Sequence, residues 1–251
     1  MIQTLSDPAL IRPWLQRDPV WAAYALGDLI PGWFEHCQWF LCGETLVLLY
    51  RGLGTPILLV YGPVDGLAEV VSALPVNRVY VSVAWEARPV LERHFRLQNA
   101  KRMHRMRLVH TPPEASLAGV RRLTATDVPD LVRLYADGEA HGESPDFFAP
   151  GMVSDGVFFG GFRAGELVSV AGTHLVAKAE GIGAIGNVYT RRDARKEGWA
   201  SATVSAVARE LAPLPTVILN VHCENQAAIR VYQKLGFTKH CEYWEALAER
   251  G

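Results

Sequence analysis

The sequence has no excess of either charge. Its 25 lysines and arginines are balanced by 26 aspartates and glutamates, so it lacks the electrostatic footprint of a nucleic-acid or anionic-membrane binder. Cysteine is scarce. Cys37, Cys42, Cys223 and Cys241 form no CxxC pair and no metal-ligand spacing, which argues against a disulfide framework or a zinc module and fits unbridged thiols in a reducing cytoplasm. The first residues, Met1-Ile-Gln-Thr-Leu-Ser-Asp7, lack a basic region followed by an apolar one, so no secretory leader is expected. Long apolar runs are missing too. The most apolar stretch, residues 45 to 62, is broken by Arg51, Gly52, Gly54 and Pro56 and predicts two buried strands about a turn, not a membrane span. What remains is a chain of 251 residues, long enough for one large domain or two small ones, each with a core.

The most informative stretch runs from Ile182 to Leu211. Ile182-Gly-Ala-Ile-Gly-Asn-Val-Tyr189 is small and apolar, as in a strand closely approached by a ligand or another backbone. Trp199, Thr203, Ala206, Val207 and Leu211 recur at helical spacing, predicting an amphipathic helix from Gly198 to Leu211. Between them lies the turn Arg195-Lys-Glu-Gly-Trp-Ala200. A strand–turn–helix of this kind aims unpaired backbone N–H groups and a helix dipole at one point, which suits a phosphate. Gly198 lets the backbone approach without a Cβ, and Ala200 keeps the next turn open.

Arg195-x-x-Gly198-x-Ala200 resembles the (Q/R)-x-x-G-x-(G/A) acyl-coenzyme A signature of the GCN5-related N-acetyltransferase (GNAT) superfamily. Asn225-x-x-Ala228-Ile229-x-Val231-Tyr232-x-x-x-Gly236-Phe237 resembles the closing strand–helix–strand motif of the same superfamily. The resemblance covers residues 118 to 247. It implies an α/β fold whose mixed, mostly antiparallel central sheet is flanked by helices. It also implies an acetyl-CoA-dependent N-acetyltransferase that acts on a primary amine of a small molecule, amino acid or peptide by direct attack. Acetyl-CoA is the expected co-substrate and no metal is expected. The expected partners are acetyl-CoA and the amine acceptor, with no nucleic acid or membrane, for a cytoplasmic monomer or homodimer. Two alternatives stay open: a non-catalytic acetyl-CoA sensor, and an acyltransferase using a longer acyl-CoA.

In the family the acyl donor lies like a strand beside the central one, which splays from its neighbour. The matching residues are Val188, Tyr189 and Thr190, with a main-chain N–H near Asn187–Val188 facing the acyl oxygen. The N–H groups of Arg195, Lys196, Glu197, Gly198, Trp199, Ala200 and Ser201 match the pyrophosphate turn. Two departures stand out: Glu197 brings a negative charge, and Trp199 replaces a commoner Leu, Ile or Tyr. Asn225 matches the helix cap that bonds the pantetheine, and capping alone also explains an Asn there. Tyr232 matches the general acid of the departing thiolate; packing in the core is its alternative. No motif fixes the base. His174 on the preceding strand, His222 and Glu224 at the end of the next one, and Glu139, His141 and Glu143 in a loop all qualify, as does a water. That loop, residues 137 to 146, has carboxylates that suit a cationic acceptor; a solvated acidic loop is the plainer reading.

The first half resembles the second. Leu74-Pro75 and Leu214-Pro215 each precede an apolar strand and stand 140 positions apart. At that offset Ala68 falls on Ala208, Val81 on Val221 and Phe95 on Leu235. Residues 1–112 are therefore read as a degenerate GNAT-like domain, 113–117 as a linker and 118–251 as the catalytic domain. The first copy lacks Arg-x-x-Gly-x-Ala, and carries Glu92 and Trp85 at the positions of Tyr232 and Asn225, so it is not expected to bind coenzyme A. Asp7-Pro8 and Asp18-Pro19 predict helices over 9–16 and 20–29. The aromatic segment 33–42 is read as core, with a cleft wall as the alternative.

Overall fold

The two Asp-Pro pairs act differently. Asp7 caps α1 (Pro8–Leu15), its Oδ1 accepting the Ala9 N–H at 2.8 Å with Pro8 in the first turn. Asp18 accepts the Trp21 N–H at 2.9 Å and so closes a turn. The helix behind it, α2, is confined to Ala23–Gly27 instead of filling 20–29, and the chain then turns through Pro31-Gly32, where Gly32 takes φ +92°. The computed structural model describes residues 1–114, 117–145 and 147–250. Ala115 and Ser116 of the expected linker, and Asp146 of the acidic loop, lie outside them.

The halves repeat one succession of elements. The first runs β1 (Ile2–Leu5), α1, α2, β2 (Cys37–Cys42), β3 (Thr45–Tyr50), β4 (Ile57–Tyr61), α3 (Leu67–Ala73), β5 (Arg78–Ala84), α4 (Arg88–Leu91) and β6 (Arg96–Leu108). The second runs β7 (Val120–Arg122), α5 (Val128–Glu139), α6 (Met152–Asp155), β8 (Phe159–Arg163), β9 (Glu166–Ala177), β10 (Ile182–Thr190), α7 (Trp199–Leu211), β11 (Thr216–His222), α8 (Gln226–Lys234) and β12 (Phe237–Glu249). Their starts show that the gapless offset of 140 averages two values. β5 and β11 begin at residues 78 and 216, whereas β6 and β12 begin at 96 and 237.

Two compact units result. The first joins Met1–Arg105 to His222–Glu224 and to the last segment from His240 onward. Its strands β1, β2, β3 and β4 pair antiparallel in succession, and β4 pairs with β5 in parallel. The other edge of β5 is taken by β12, antiparallel from Tyr243↔Ala84 to Glu249↔Arg78. Trp244, Ala246 and Ala248 of β12 thereby join Val47, Leu49, Leu58, Val79 and Val81 in one buried cluster. In this unit the donor atoms of His104, Cys223 and Glu242 lie within 4.8 Å of one another, although Arg102 Nη2 already donates to Glu242 at 2.9 Å.

The second unit is Met106–Val221 with Asn225–Lys239. Here β7, β8, β9 and β10 are antiparallel in succession, and β10 pairs with β11 in parallel. The apolar face of α7 (Val204, Val207, Ala208, Leu211) packs with Ile185, Val217 and Leu219; of the predicted stripe Val207 and Leu211 join it, Trp199 is buried in another cluster and Ala206 is only half-buried. The described part of the linker lies along the same helix. Ser205 Oγ donates to the Pro113 carbonyl at 2.6 Å and Arg209 to that of Pro112 at 3.0 Å. Each unit is a mixed α/β layer structure with a mostly antiparallel sheet. No helix among the described residues is long and apolar enough to cross a membrane.

Candidate active site

β10 and β11 keep register only from Ile182↔Thr216 to Ile185↔Leu219. Beyond Ile185 the two strands part, while β10 runs on along β9 to Thr190↔Ser169. That parting leaves Val188, Tyr189 and Thr190 of β10 without a ladder partner on the β11 side. On the β9 side the register advances three residues on β10 (Gly186 to Tyr189) for two on β9 (Gly172 to Val170), a β-bulge at Asn187–Val188 that turns the local peptide groups out of the ladder. Asn187 sits at φ +53°, a conformation that Asn tolerates better than most residues. The bulge is tied down from two sides. Tyr135 Oη donates to the Asn187 carbonyl at 2.8 Å, and Asn187 Nδ2 donates to the Thr173 carbonyl at 3.3 Å. Asn187 Oδ1 is buried with no hydrogen-bond partner among the described residues.

Below the bulge Tyr189 turns inward and donates to Asp137 Oδ2 at 2.7 Å. Nothing local marks Tyr135, a tyrosine on a helix face, as the clamp of a distant strand; Asp137, a carboxylate of the expected acceptor loop, lies in the last turn of α5 and holds Tyr189. His174 lies against the same segment, since a Cβ added at Gly186 would come within 2.4 Å of its ring. The missing side chain at Gly186 thus leaves the room that the His174 ring occupies.

The turn after β10 has two left-handed residues, Lys196 at φ +68° and Gly198 at φ +93°. Gly198 is the N-cap of α7 and makes no side-chain cap hydrogen bond. A Cβ there would meet nothing within 4 Å. The helix therefore begins with no side-chain cap for its first-turn N–H groups, as at helix N-termini that bind anions. Trp199, one of the two departures from the family pattern, is buried. Its ring covers Gly161, where a Cβ would come within 2.6 Å, and its Nε1 donates to Glu197 at 3.0 Å. Glu197 in turn accepts from Arg163 at 3.0 Å, so its charge is offset beside the turn.

Arg195 is engaged on the protein side. Its Nε donates to the Thr190 carbonyl at 3.0 Å and its Nη2 to Glu143, whose other oxygen accepts from Arg192 at 2.9 Å. The hydrogen bonds from Arg195 and then Arg192 hold the Glu143 carboxyl down at about 2. Glu143, expected at the acceptor site, is bonded to Arg192 and Arg195 of the turn after β10. Glu139 and His141 are exposed; His141 Nδ1 lies 2.7 Å from the Asp137 carbonyl. Because the folded pKa of Glu143 lies below its usual 4.5, its contribution to stability is present above about pH 4.5 and lost as pH falls towards about 2. Glu143→Gln is thus expected to lower the melting temperature near neutrality, and the gap from the parent protein should close across that acidic window. A gap that stayed constant down to pH 2 would mean the pairing contributes nothing.

Asn225 behaves as expected of a cap: its Oδ1 accepts the Ala228 N–H at 3.0 Å at the head of α8. Tyr232, two turns on, is buried beside Phe237 with ring centroids 6.2 Å apart, and burial pushes its phenol up to about 12. No hydrogen bond reaches its hydroxyl among the described residues. The core reading and the acid reading of Tyr232 therefore meet in one side chain: a packed ring whose proton is held at neutral pH. His222 and Glu224 belong to the first unit, where His222 Nδ1 accepts the Glu224 N–H at 3.2 Å.

Residues 160–245 match the family described as FR47-like protein. The chain is 38% identical over 85 residues to the mycothiol acetyltransferase of Streptomyces avermitilis, a match spanning 33% of this chain and 27% of that protein. Among solved structures, a Drosophila protein superposes with a TM-score of 0.69 at 16% identity over 98% of both chains. A tandem GNAT protein from the clavulanic acid biosynthesis pathway gives 0.57 at 12% identity over 100% of this chain and 98% of its own. The chain thus shares its fold, repeated in both halves, with these solved structures, and residues 160–245 resemble the FR47-like family.

Proposed function

We propose that the protein is an acetyl-CoA-dependent N-acetyltransferase that acetylates a primary amine of a small molecule, amino acid or peptide. The observation that carries this reading is the parting of β10 from β11 after Ile185, directly ahead of an α7 N-terminus that no side chain caps. The pantetheine arm would lie as an added strand along Val188–Thr190, and the pyrophosphate would take the N–H groups from Arg195 to Ser201, with Lys196 near. The amine gives up a proton and attacks the thioester carbon. The oxygen that gains charge faces the bulged peptide at Asn187–Val188, where an N–H donor counts most in the transition state. Collapse expels the coenzyme A thiolate, and Tyr232 returns a proton to it. His174, against Gly186, is the base favoured here, with Glu139 and His141 towards the acceptor. The second unit contains no cysteine, since all four lie in the first. That supports direct transfer without an enzyme thioester.

The test is coenzyme A thiol release from acetyl-CoA across amines, amino acids and peptides, repeated with longer acyl donors. Amine-dependent release is expected. Tight acetyl-CoA binding with no amine-dependent release from any donor would leave a sensor as the function.

A further inference from the structure

The first unit holds a cavity of about 620 Å³, within the range of small-molecule sites. It opens where β4 and β5 part. Their parallel register runs only from Ile57↔Tyr80 to Leu59↔Ser82, and Val60, Tyr61 and Ala84 beyond that point line the cavity. It is thus the first half's counterpart of the parting of β10 from β11, but its chemistry is different. The turn after β4 offers no phosphate cradle: the Gly66 N–H is donated to Thr45 Oγ1 at 2.9 Å, and Thr45 Oγ1 donates to the Pro63 carbonyl at 2.6 Å.

The walls are aromatic and the rim is acidic. Trp14, Trp21 and Tyr61 line the interior. Trp21 is fixed by Nε1 donating to the Val60 carbonyl at 3.1 Å, and Tyr61 keeps a buried hydroxyl with no hydrogen-bond partner among the described residues. Four carboxylates line the cavity against a single guanidinium, that of Arg17, which stacks 4.1 Å over Trp14. Asp18 is bonded to His240 at 2.9 Å, and Glu242 to Arg102. Asp65 and Glu86 have no ion-pair partner among the described residues. An anion such as coenzyme A would meet unpaired carboxylates and no N–H cradle. Arg17 and Arg105 already stand 4.1 and 4.7 Å over the Trp14 and Trp21 rings, so a cation with an apolar body would find aromatic surface for the body and Asp65 with Glu86 for the charge.

From this we infer that the first unit binds a small organic cation, an aromatic or branched apolar group bearing a primary ammonium, between the aromatic walls and Asp65 with Glu86. The site is independent of the proposed acyl-CoA site along β10 and does not rest on the proposed activity.

The probe is 2-phenylethylammonium, titrated into the full chain by calorimetry alongside phenylacetate and coenzyme A. The ammonium is expected to bind, phenylacetate to bind at least about tenfold more weakly, and coenzyme A not to displace the ammonium. The double variant Asp65→Asn with Glu86→Gln should weaken ammonium binding about tenfold. Both side chains are exposed, so the melting temperature and any acetyl-CoA binding should be unchanged. The unchanged acetyl-CoA binding separates this site from an acceptor site in the second unit. Absent binding, phenylacetate binding equally well, displacement by coenzyme A, or full affinity in the double variant would each overturn the inference.

Discussion

Tyr232→Phe is expected to slow turnover about 10²–10⁴-fold, the span usual for a general acid. The loss should fall on kcat and leave KM for acetyl-CoA nearly unchanged, as for an interaction made mainly in the transition state. The groups proposed to hold the coenzyme are backbone N–H groups on β10 and α7, and the substitution touches none of them. Stability should hold as well. The ring stays in the cluster with Ile229, Leu235 and Phe237, and the hydroxyl removed has no hydrogen-bond partner among the described residues, so no buried donor or acceptor is stranded. Normal turnover in this variant would transfer the acid role to water or another residue. A collapse in melting temperature would make Tyr232 a packing residue only.

Gly198→Asp is expected to abolish stabilisation by acetyl-CoA. For the parent protein, ligand at a hundred times its dissociation constant should add about 2.7 kcal/mol. The aspartate would put a negative charge at the uncapped head of α7 and also strain a residue held at φ +93°. The two effects are separable. Gly198→Asn brings the same size and tolerates positive φ, so it should keep part of the thermal shift that the aspartate removes. The space around Gly198 is open, with nothing within 4 Å of an added Cβ, so neither variant clashes with the protein. A full thermal shift with the aspartate would remove this turn from the binding site.

The elements that position the site are readable from local sequence because their signals are local. The α7 stripe, the Asn225 cap and the small residues of β10 each carry a periodicity or a residue type that one element suffices to fix. What escapes is mostly non-local. Periodicity over 20–29 predicts a long helix, but α2 is confined to Ala23–Gly27, and nothing in the structure of this segment accounts for its shortness. The acidic stretch 137–146 reads as a solvated loop or an acceptor surface, yet Glu143 pairs with Arg192 and Arg195, which lie about fifty positions later in the chain. The bulge at Asn187 depends on Tyr135, and no spacing rule links a helix face to a strand carbonyl that far along. Strand exchange is invisible for the same reason. Burial in β12 alternates from Trp244 to Glu249, and alternation names a buried face without naming a neighbour.

That exchange bears on how the protein is made. The first unit owns the chain up to Arg105, but its sheet is completed by β12 from His240 onward, with Trp244, Ala246 and Ala248 closing the core. Domains ordinarily fold in order of synthesis, at about 5–20 residues per second. Here on the order of 130 further residues must emerge before the first unit can close, a delay of roughly 7–30 s. During that interval the apolar edge of β5 has no native neighbour, which exposes it to wrong pairing. The unit synthesised first is therefore the last to finish folding, and its nascent form is the one with most need of a chaperone.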